Sequence, residues 1–171
     1  MSHNDWIPTN YYNIWVEANT TTNPKHKEYS LMRLAGTKDC PQDILRELCE
    51  SSIKVRRVLA SREVIPKAVC VYLSRDCDQG VREAIARHPD TPSDILLALG
   101  GSRNQDVVRN VLANSNCPPE VLVPLACNPR YYYRKACILH RNMPHGVWCR
   151  DIFTTQVFPR KTDYLTLRSL P

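Results

Sequence analysis

Apolar residues in the middle of the chain recur in one arrangement about every 26 residues. In each unit the residues three and four positions after a proline are both apolar. These prolines are Pro41, Pro66, Pro92, Pro118 and Pro144. The first helical turn tolerates proline because its missing amide would have no partner there, and apolar residues at this spacing share one helix face. The pattern predicts a short amphipathic helix after each proline.

A second short helix is predicted further along each unit. Its sequence is VRRVLA at 55–60, VREAIA at 81–86, VRNVLA at 108–113 and YRKACI at 133–138. A small polar residue precedes each of these segments, and its side-chain oxygen is expected to cap the helix; these residues are Ser51, Asp76, Asn104 and Asn128. Because one such unit cannot bury its own apolar face, neighbouring units must stack on it. The chain is therefore predicted to be an all-α solenoid of about four to five repeats.

These proline, apolar and valine–arginine positions resemble the variant leucine-rich repeat family over roughly residues 39–149. The resemblance implies a right-handed superhelix in which α-helices alternate with short 3₁₀-helices. HEAT-type repeats share the valine–arginine step, but their units are longer, near forty residues. Some members of the variant family carry an iron–sulfur cluster bound by cysteines ahead of the repeats. No cysteine precedes Cys40 here, so no cofactor is expected.

The two ends of the chain depart from the repeat. The expected domains are an N-terminal cap at 1–27, a helical-repeat solenoid at 28–149 and a C-terminal extension or cap at 150–171. Residues 28–40 resemble an incomplete second helix. The aromatic residues expected to cover the first repeat are Trp6, Tyr11, Tyr12 and Trp15. The C-terminal extension has no helical period, and a hairpin, an extended flap and a flexible tail are all compatible with its sequence.

Composition favours one elongated, soluble domain of 171 residues, 43% of them hydrophobic. The first residues contain neither a basic leader nor an apolar stretch, and no apolar run has the length of a membrane span. We therefore expect a cytoplasmic protein with no membrane partner. Cys70 and Cys137 occupy repeat positions that are elsewhere Leu, Ile or Val. They are expected to be free, buried thiols in a reducing compartment.

Charge is concentrated near the C-terminus. Residues 1–129 contain 15 basic and 15 acidic side chains, whereas residues 130–171 contain eight basic and two acidic ones. The net charge of +6 therefore lies in the last quarter of the chain. A partner with an acidic patch would be attracted to this end.

A triplet of tyrosines accompanies this charge. Repeat alignment assigns Tyr133 to a core position, so at least one of Tyr131 and Tyr132 should be exposed. Exposed tyrosines among basic residues suit nucleic acid, and they are equally typical of protein-interface hot spots. The candidate partner-binding residues are Arg130, Tyr131, Tyr132, Lys135, Arg141, Arg160 and Lys161. The alternative is that the tyrosines pack beneath the C-terminal extension as part of a cap.

One arginine recurs in every repeat, as Arg56, Arg82, Arg109 and Arg134. A stripe of arginines can contact phosphates, but arginines set by the repeat are better explained as links that span neighbouring units by hydrogen bonds to carbonyls or acidic residues. Acidic residues in the middle repeats would repel a polyanion lying along the stack. Nucleic acid is therefore expected, if at all, only at the C-terminal end, and a protein partner is favoured.

Four residues near the last repeat have the spacing of a zinc site, C-x2-H-x4-H-x3-C; they are Cys137, His140, His145 and Cys149. Two thiolates and two imidazoles suit tetrahedral zinc. However, Cys137 already has a core position and the set straddles a turn. A spacing this loose is often fortuitous, so no metal site is predicted.

The sequence has no phosphate-binding glycine loop, nucleophile elbow or metalloprotease signature. His88, in a turn between repeats, is expected to be solvated rather than catalytic. We therefore expect a non-catalytic binding scaffold. The alternatives are a DNA- or RNA-binding protein and, more remotely, a helical-repeat DNA glycosylase using residues such as Trp148 and Asp151. A homo-oligomer is compatible with each of them.

Overall fold

A computed structural model describes residues 9–144 of the chain. Those residues form ten α-helices and no strand: α1 (Thr9–Thr20), α2 (Pro24–Gly36), α3 (Gln42–Leu48), α4 (Ile53–Ala60), α5 (Lys67–Leu73), α6 (Gln79–Arg87), α7 (Ser93–Gly100), α8 (Gln105–Ala113), α9 (Pro119–Ala126) and α10 (Tyr131–Leu139). The all-α prediction is confirmed for this part of the chain. Within it no element is a 3₁₀-helix, in contrast to what the family resemblance implies. None of the ten helices is long and apolar enough to cross a membrane.

The periodic prolines begin the first helix of each unit, as predicted. Helices α3, α5, α7 and α9 start directly after Pro41, Pro66, Pro92 and Pro118, each in an extended conformation with ψ between 142° and 151°. The proline therefore lies one position before the first turn. Its carbonyl accepts the amide four residues on, at 3.0 to 3.4 Å, which closes that turn. Pro144 is the last described residue, so the helix expected after it lies outside this range.

The predicted caps of the second helices are correct in one case. Asn104 caps α8, because its side-chain oxygen accepts the amides of Asp106 and Val107. Asp78, not Asp76, caps α6. Asp76 and Asn128 lie two residues before the helix-capping position and accept the amide of the residue there. Ser51 likewise precedes the cap residue of α4, Ser52. The prediction was wrong at these three positions because each helix begins one or two residues later than the predicted cap requires.

The core lies between two sets of helices. Each second helix packs on the next one in the chain, in the order α2, α4, α6, α8 and α10, and α3 packs on α5 as α7 does on α9. One apolar cluster extends through all of these contacts from Ile14 to Met143. Leu34 and Ala35 of α2 are buried like Leu59 and Ala60 of α4, which supports the incomplete second helix expected at 28–40.

Helix α1 covers the first repeat mainly with aliphatic residues, and one of the expected aromatic residues contributes. Ile14 and Ala18 of α1 are buried where α1 packs on α2, and Tyr11 packs against the edge of the core. Tyr12 and Trp15 stack on each other on the exposed side of α1. Trp6 lies outside the described residues. Of the three aromatic residues that the structure describes, Tyr11 therefore contributes to covering the first repeat, and Tyr12 and Trp15 are exposed.

A polar ladder connects the turns that follow the second helices. We use the term turn ladder for its four residues, Arg62, His88, Asn114 and His140, which are each 26 residues apart. Arg62 donates to the carbonyls of Ala35 and Thr37. His88 Nε2 lies 2.9 Å from the Arg62 carbonyl oxygen. Asn114 Nδ2 donates to the Ala86 and His88 carbonyls at 3.0 and 2.8 Å. His140 Nε2 lies 3.0 Å from the Asn114 carbonyl oxygen.

The turn ladder is continuous, because the main-chain carbonyl of one ladder residue accepts a hydrogen bond from the side chain of the next. It satisfies carbonyls at the ends of α2 and α6, which have no partner within their own helices. His88 is only 8% exposed, so the expectation that it is solvated was wrong.

We predict that Leu99→Ala will lower the free energy of unfolding by about 2 to 5 kcal/mol, because Leu99 is 4% exposed and its loss leaves a cavity in the core. Leu97→Ala on the same helix is the control. Leu97 is 47% exposed, so its truncation should change stability by no more than about 0.5 kcal/mol. Urea denaturation of the two variants measures this difference, and equal effects would contradict the assigned core face of α7.

We predict that Asn114→Ala will cost about 1 to 3 kcal/mol, because it leaves two buried carbonyls without their donor. Asn116→Ala is the matched control, since Asn116 also donates to a carbonyl of the preceding turn, that of Pro89, but is exposed. Water can replace its bond, and the cost should stay below about 1 kcal/mol. If both variants unfold at the same urea concentration, the turn ladder has no particular importance.

Candidate partner-binding surface

Helix α10 presents a mixed aromatic, aliphatic and basic face. Tyr131, Tyr132, Lys135 and Leu139 are all exposed, the tyrosines and leucine to 60%, 49% and 52%. Residues three and four apart are neighbours on a helix, so these four side chains form one stripe. We call this stripe the α10 surface. Tyr133 points to the opposite side and is buried, which confirms its predicted core position and the exposure of its neighbours.

Tyr132 is held in place by two neighbouring side chains. Its ring contacts Tyr133 edge to face, with 5.8 Å between centroids. The guanidinium carbon of Arg109, on the adjacent helix α8, lies 5.2 Å from the centre of the Tyr132 ring. Arg109 is in turn bonded to the Asp106 carboxylate at 2.7 Å. A half-exposed tyrosine fixed in this way loses little conformational entropy when a partner binds.

The predicted basic residues are partly brought together. Arg130 immediately precedes α10, Lys135 lies on it and Arg141 lies in the turn after it, all exposed. Helix α10 itself contains no acidic residue. Arg160 and Lys161 lie outside the described residues. The α10 surface is thus bordered by positive charge at both ends of its helix.

Three of the four recurrent arginines bond to carbonyls, as predicted, but these carbonyls lie in the turn before their own helix and not in a neighbouring unit. Arg56 donates to the Ser51 carbonyl, Arg82 to those of Asp76 and Cys77, and Arg134 to those of Asn128 and Pro129. Arg134 also lies 5.8 Å from the centre of the Tyr131 ring. These three arginines therefore fix the turn between the two helices of a unit.

Arg109 departs from this pattern because α8 has one more residue before the arginine. Its cap residue, Asn104, precedes Arg109 by five positions, whereas the corresponding separation is four for Arg56, Arg82 and Arg134. The Asn104 carbonyl already accepts the Val108 amide inside the helix. Arg109 is directed instead to Asp106 and Tyr132. Sequence alignment missed this contact because it placed Arg109 in the same column as the other arginines.

Arg56 and Asp76 form a largely buried ion pair, with their side chains 14% and 3% exposed. Two guanidinium nitrogens of Arg56 donate to the two carboxylate oxygens at 2.6 and 3.2 Å. Burial, the largest influence, tends to raise the pKa of Asp76, but the hydrogen bonds from Arg56 and from the Asp78 amide together lower that pKa below its ordinary value. The folded state therefore holds Asp76 as a carboxylate.

The two described members of the candidate zinc set have other roles. Cys137 is fully buried, and burial raises the pKa of its thiol to about 12, whereas zinc binds the thiolate. His140 uses both ring nitrogens, Nε2 with the Asn114 carbonyl and Nδ1 with the Asn142 amide. His145 and Cys149 lie outside the described residues. Within residues 9–144 no group of three or more potential ligands could hold a metal ion.

The seven cysteines between residues 9 and 144 form no disulfide. Five are buried and Cys77 and Cys127 are exposed. Burial raises the pKa of Cys70 to about 11, so this thiol stays protonated in its core position. Cys70 and Cys137 are therefore both buried, as their repeat positions predict.

Two open clefts lie between neighbouring turns. One, of about 420 Å³, is lined by residues that include Arg57, Glu63 and Val64, and the other, of about 620 Å³, by residues that include Tyr72 and Asp76. An acidic group in each cleft is already engaged, since Glu63 pairs with Lys38 at 2.7 Å and Asp76 pairs with Arg56. The clefts consequently offer a weaker candidate site than the α10 surface.

Comparison of the chain with protein-family models, with curated proteins and with solved structures finds no match. A proposal about function therefore rests on the residues and contacts described above.

We predict that Asp76→Asn will destabilise the protein by about 3 to 5 kcal/mol at neutral pH, because it leaves the Arg56 charge without its buried partner. Because the pKa of Asp76 is lowered by folding, its carboxylate stabilises the protein above its unfolded-state pKa. That contribution is lost as pH falls through the lower pKa of the folded state.

Asp106→Asn is the control, since Asp106 and Arg109 are about half exposed and their pair should be worth less than about 1 kcal/mol. Urea titrations at several pH values measure both effects. An Asp76→Asn variant as stable as the wild type at pH 7, or a difference that grows in acid, would contradict the assigned role.

Proposed function

We propose that the chain is a non-catalytic repeat scaffold that binds a protein partner through the α10 surface and the basic residues beside it. We further propose that its helices form a right-handed solenoid of four to five repeats, similar to the variant leucine-rich repeat family. The proline interval, the packing of each second helix on the next and the 26-residue spacing of the turn ladder support the solenoid. Solenoids offer extended surfaces to partners.

The observation that carries the binding proposal is the arrangement around Tyr132. A half-exposed tyrosine is held against an arginine, and an exposed tyrosine, lysine and leucine lie beside it on the same helix. Tyrosine and arginine are enriched among the residues that contribute most to binding at protein interfaces. Holding the ring in place before binding lowers the entropic cost of association.

A protein partner is favoured over nucleic acid by the distribution of charge. Several basic side chains in the part of the stack before α10 are already paired with carboxylates: Lys38 with Glu63, Lys54 with Glu28, Arg57 with Asp78 and Lys67 with Asp94. A polyanion lying along the stack would meet those carboxylates. On α2 an arginine, Arg33, also lies against an exposed tyrosine, Tyr29, but it is paired with Glu17. The positive charge beside the exposed tyrosines of α10 has no carboxylate on its own helix. A partner with a limited acidic patch fits such a surface better than a continuous phosphate backbone.

The proposal is tested by placing the photo-crosslinking residue p-benzoylphenylalanine at position 132 of the full chain, in cells that produce the protein naturally. Tyr72, on α5, is the matched control position because its side chain is also 49% exposed. We expect covalent adducts at position 132, several-fold more abundant than at position 72, that are degraded by protease and resist nuclease. Reversing charge at Arg130 and Lys135 should remove most of them, because steering by those charges is lost.

Other outcomes of the crosslinking would overturn the proposal. Adducts that nuclease removes would replace the protein partner with DNA or RNA. Fluorescence anisotropy with labelled single- and double-stranded DNA and RNA across a salt series would then show submicromolar, steeply salt-dependent binding. Adducts between two copies of the chain, reproduced with purified protein, would identify a homo-oligomer. Equal yields at positions 132 and 72 would show that the α10 surface binds nothing specifically.

A further inference from the structure

An exposed tyrosine has the same position in α2 and in α10, the first and last of the stacked second helices. One buried residue marks this position in each second helix: Ser30, Val55, Val81, Val107 and Tyr133. The residues four and five positions after each of them are buried as well. The residue just before the buried one is Tyr29 in α2 and Tyr132 in α10, which are 61% and 49% exposed. In the helices between them it is Lys54, Gly80 and Asp106.

These five positions lie on one continuous side of the stack, which we call the second-helix face. Side chains at or near them reach across to the neighbouring second helix: Lys54 to Glu28 at 2.9 Å, Arg57 to Asp78 at 2.9 Å, and Arg109 to the Tyr132 ring. Helix α6 packs directly on α8 and completes the row. A partner lying on the second-helix face would therefore meet Tyr29 at one end and Tyr132 at the other.

Both tyrosines are held against an arginine. The guanidinium carbon of Arg33 lies 5.9 Å from the centre of the Tyr29 ring, and that of Arg109 lies 5.2 Å from the centre of the Tyr132 ring. Each arginine is in turn paired with a carboxylate, Arg33 with Glu17 at 3.5 Å and Arg109 with Asp106 at 2.7 Å. The two ends of the second-helix face thus present the same kind of contact, a fixed and largely exposed aromatic ring.

Unpaired positive charge accompanies both tyrosines. A basic residue precedes each tyrosine by two positions, and a second one lies on the same helix; the four are Lys27 and Lys25 at α2, and Arg130 and Lys135 at α10. All four are exposed, and none forms an ion pair within residues 9–144.

The charges between the two ends are mostly neutralised. Lys54, Arg57 and Arg109 are each paired with a carboxylate. Arg87 of α6 is exposed and has no such pair, but it lies seven residues, about two turns, beyond Gly80 on its helix. The second-helix face therefore has free positive charge at its ends and little net charge along the line that joins the two tyrosines.

We propose that the partner of the α10 surface is one elongated protein that crosses the second-helix face and also contacts Tyr29. This inference rests on the proposed function. Packed helices are about 8 to 10 Å apart, so four steps separate the two tyrosines by roughly 32 to 40 Å along the row. The partner that fits has acidic side chains near both ends of this distance and little charge between them.

The middle of the path favours a protein over a nucleic acid. The carboxylates of Asp78 and Asp106 lie along it, and a phosphate backbone, whose charge continues without interruption, would meet both. Gly80 presents no side chain at the middle helix, so the path between the two tyrosines is open there.

Contacts at both ends of one partner are coupled. Once one end is bound, the other contact forms within the complex at a high effective concentration. Weakening the α2 end therefore lowers occupancy of the α10 end as well. Two separate partners, one at each end, would show no such dependence.

The test extends photo-crosslinking of the full chain to position 29, with p-benzoylphenylalanine in cells that produce the protein naturally. Tyr12, on α1 and 44% exposed, is the matched control position. We expect adducts at position 29 several-fold more abundant than at position 12. Mass spectrometry should identify in them the same partner protein that is captured at position 132.

Charge reversal at the α2 end tests the coupling. Lys25→Glu combined with Lys27→Glu should lower the yield of adducts at position 132 roughly tenfold, although both changes lie four helices away. Acidic residues suit the first turn of a helix, so this variant is expected to fold, and its melting temperature checks that. Arg46→Glu combined with Arg75→Glu makes the same charge change at exposed positions of α3 and the turn after α5, and should leave those adducts unchanged.

Several results would overturn this inference and leave the proposed function intact. They are adducts at position 29 no more abundant than at position 12, capture there of a different protein, a nucleic acid or a second copy of the chain, and a yield at position 132 that the α2 charge reversal does not change. An absence of protein adducts at position 132 of the wild-type surface would overturn both the inference and the proposed function.

Discussion

Burial of apolar surface between successive helix pairs is the interaction on which the rest of the structure depends. A helix of seven to nine residues, such as α3 or α6, is too short to be stable alone in water, and a pair of them cannot enclose a core. The apolar cluster is continuous from Ile14 to Met143 because each pair uses the next as its cover. Helix packing does not satisfy main-chain polar groups at the helix ends, however, and short helices have many ends.

Two sets of polar side chains satisfy those groups. At the start of the second helices, Arg56, Arg82 and Arg134 bond to carbonyls of the turn within their own unit. After the second helices, the turn ladder bonds to carbonyls of the preceding unit. The first set joins the second helix of a unit to the turn before it, and the second set joins one unit to the next. Stability and geometry therefore depend on hydrogen bonds at positions that are not part of the apolar pattern.

The candidate binding surface arises where this regular arrangement changes. One additional residue at the start of α8 moves Arg109 away from the turn carbonyls and places it against Tyr132. The next helix has tyrosines where the three units before it have polar or aliphatic residues, and it contains no carboxylate. A one-residue difference in one unit thus holds the Tyr132 ring in place beside the other exposed side chains of α10. The function we propose depends on that local departure rather than on the repeat itself.

The sequence by itself determined the helical class, the starts of α3, α5, α7 and α9, and the buried positions of Leu99, Cys137 and Tyr133, because proline geometry and helix period act over a few residues. It also contained the 26-residue spacing of Arg62, His88, Asn114 and His140, but a spacing does not state what those side chains contact. Only the tertiary structure decided that His88 is buried, that Asp78 rather than Asp76 caps α6 and that Arg109 meets Tyr132. The physical reason is that these contacts join groups from different turns, and one residue more or less in a turn changes which of them come within hydrogen-bonding distance.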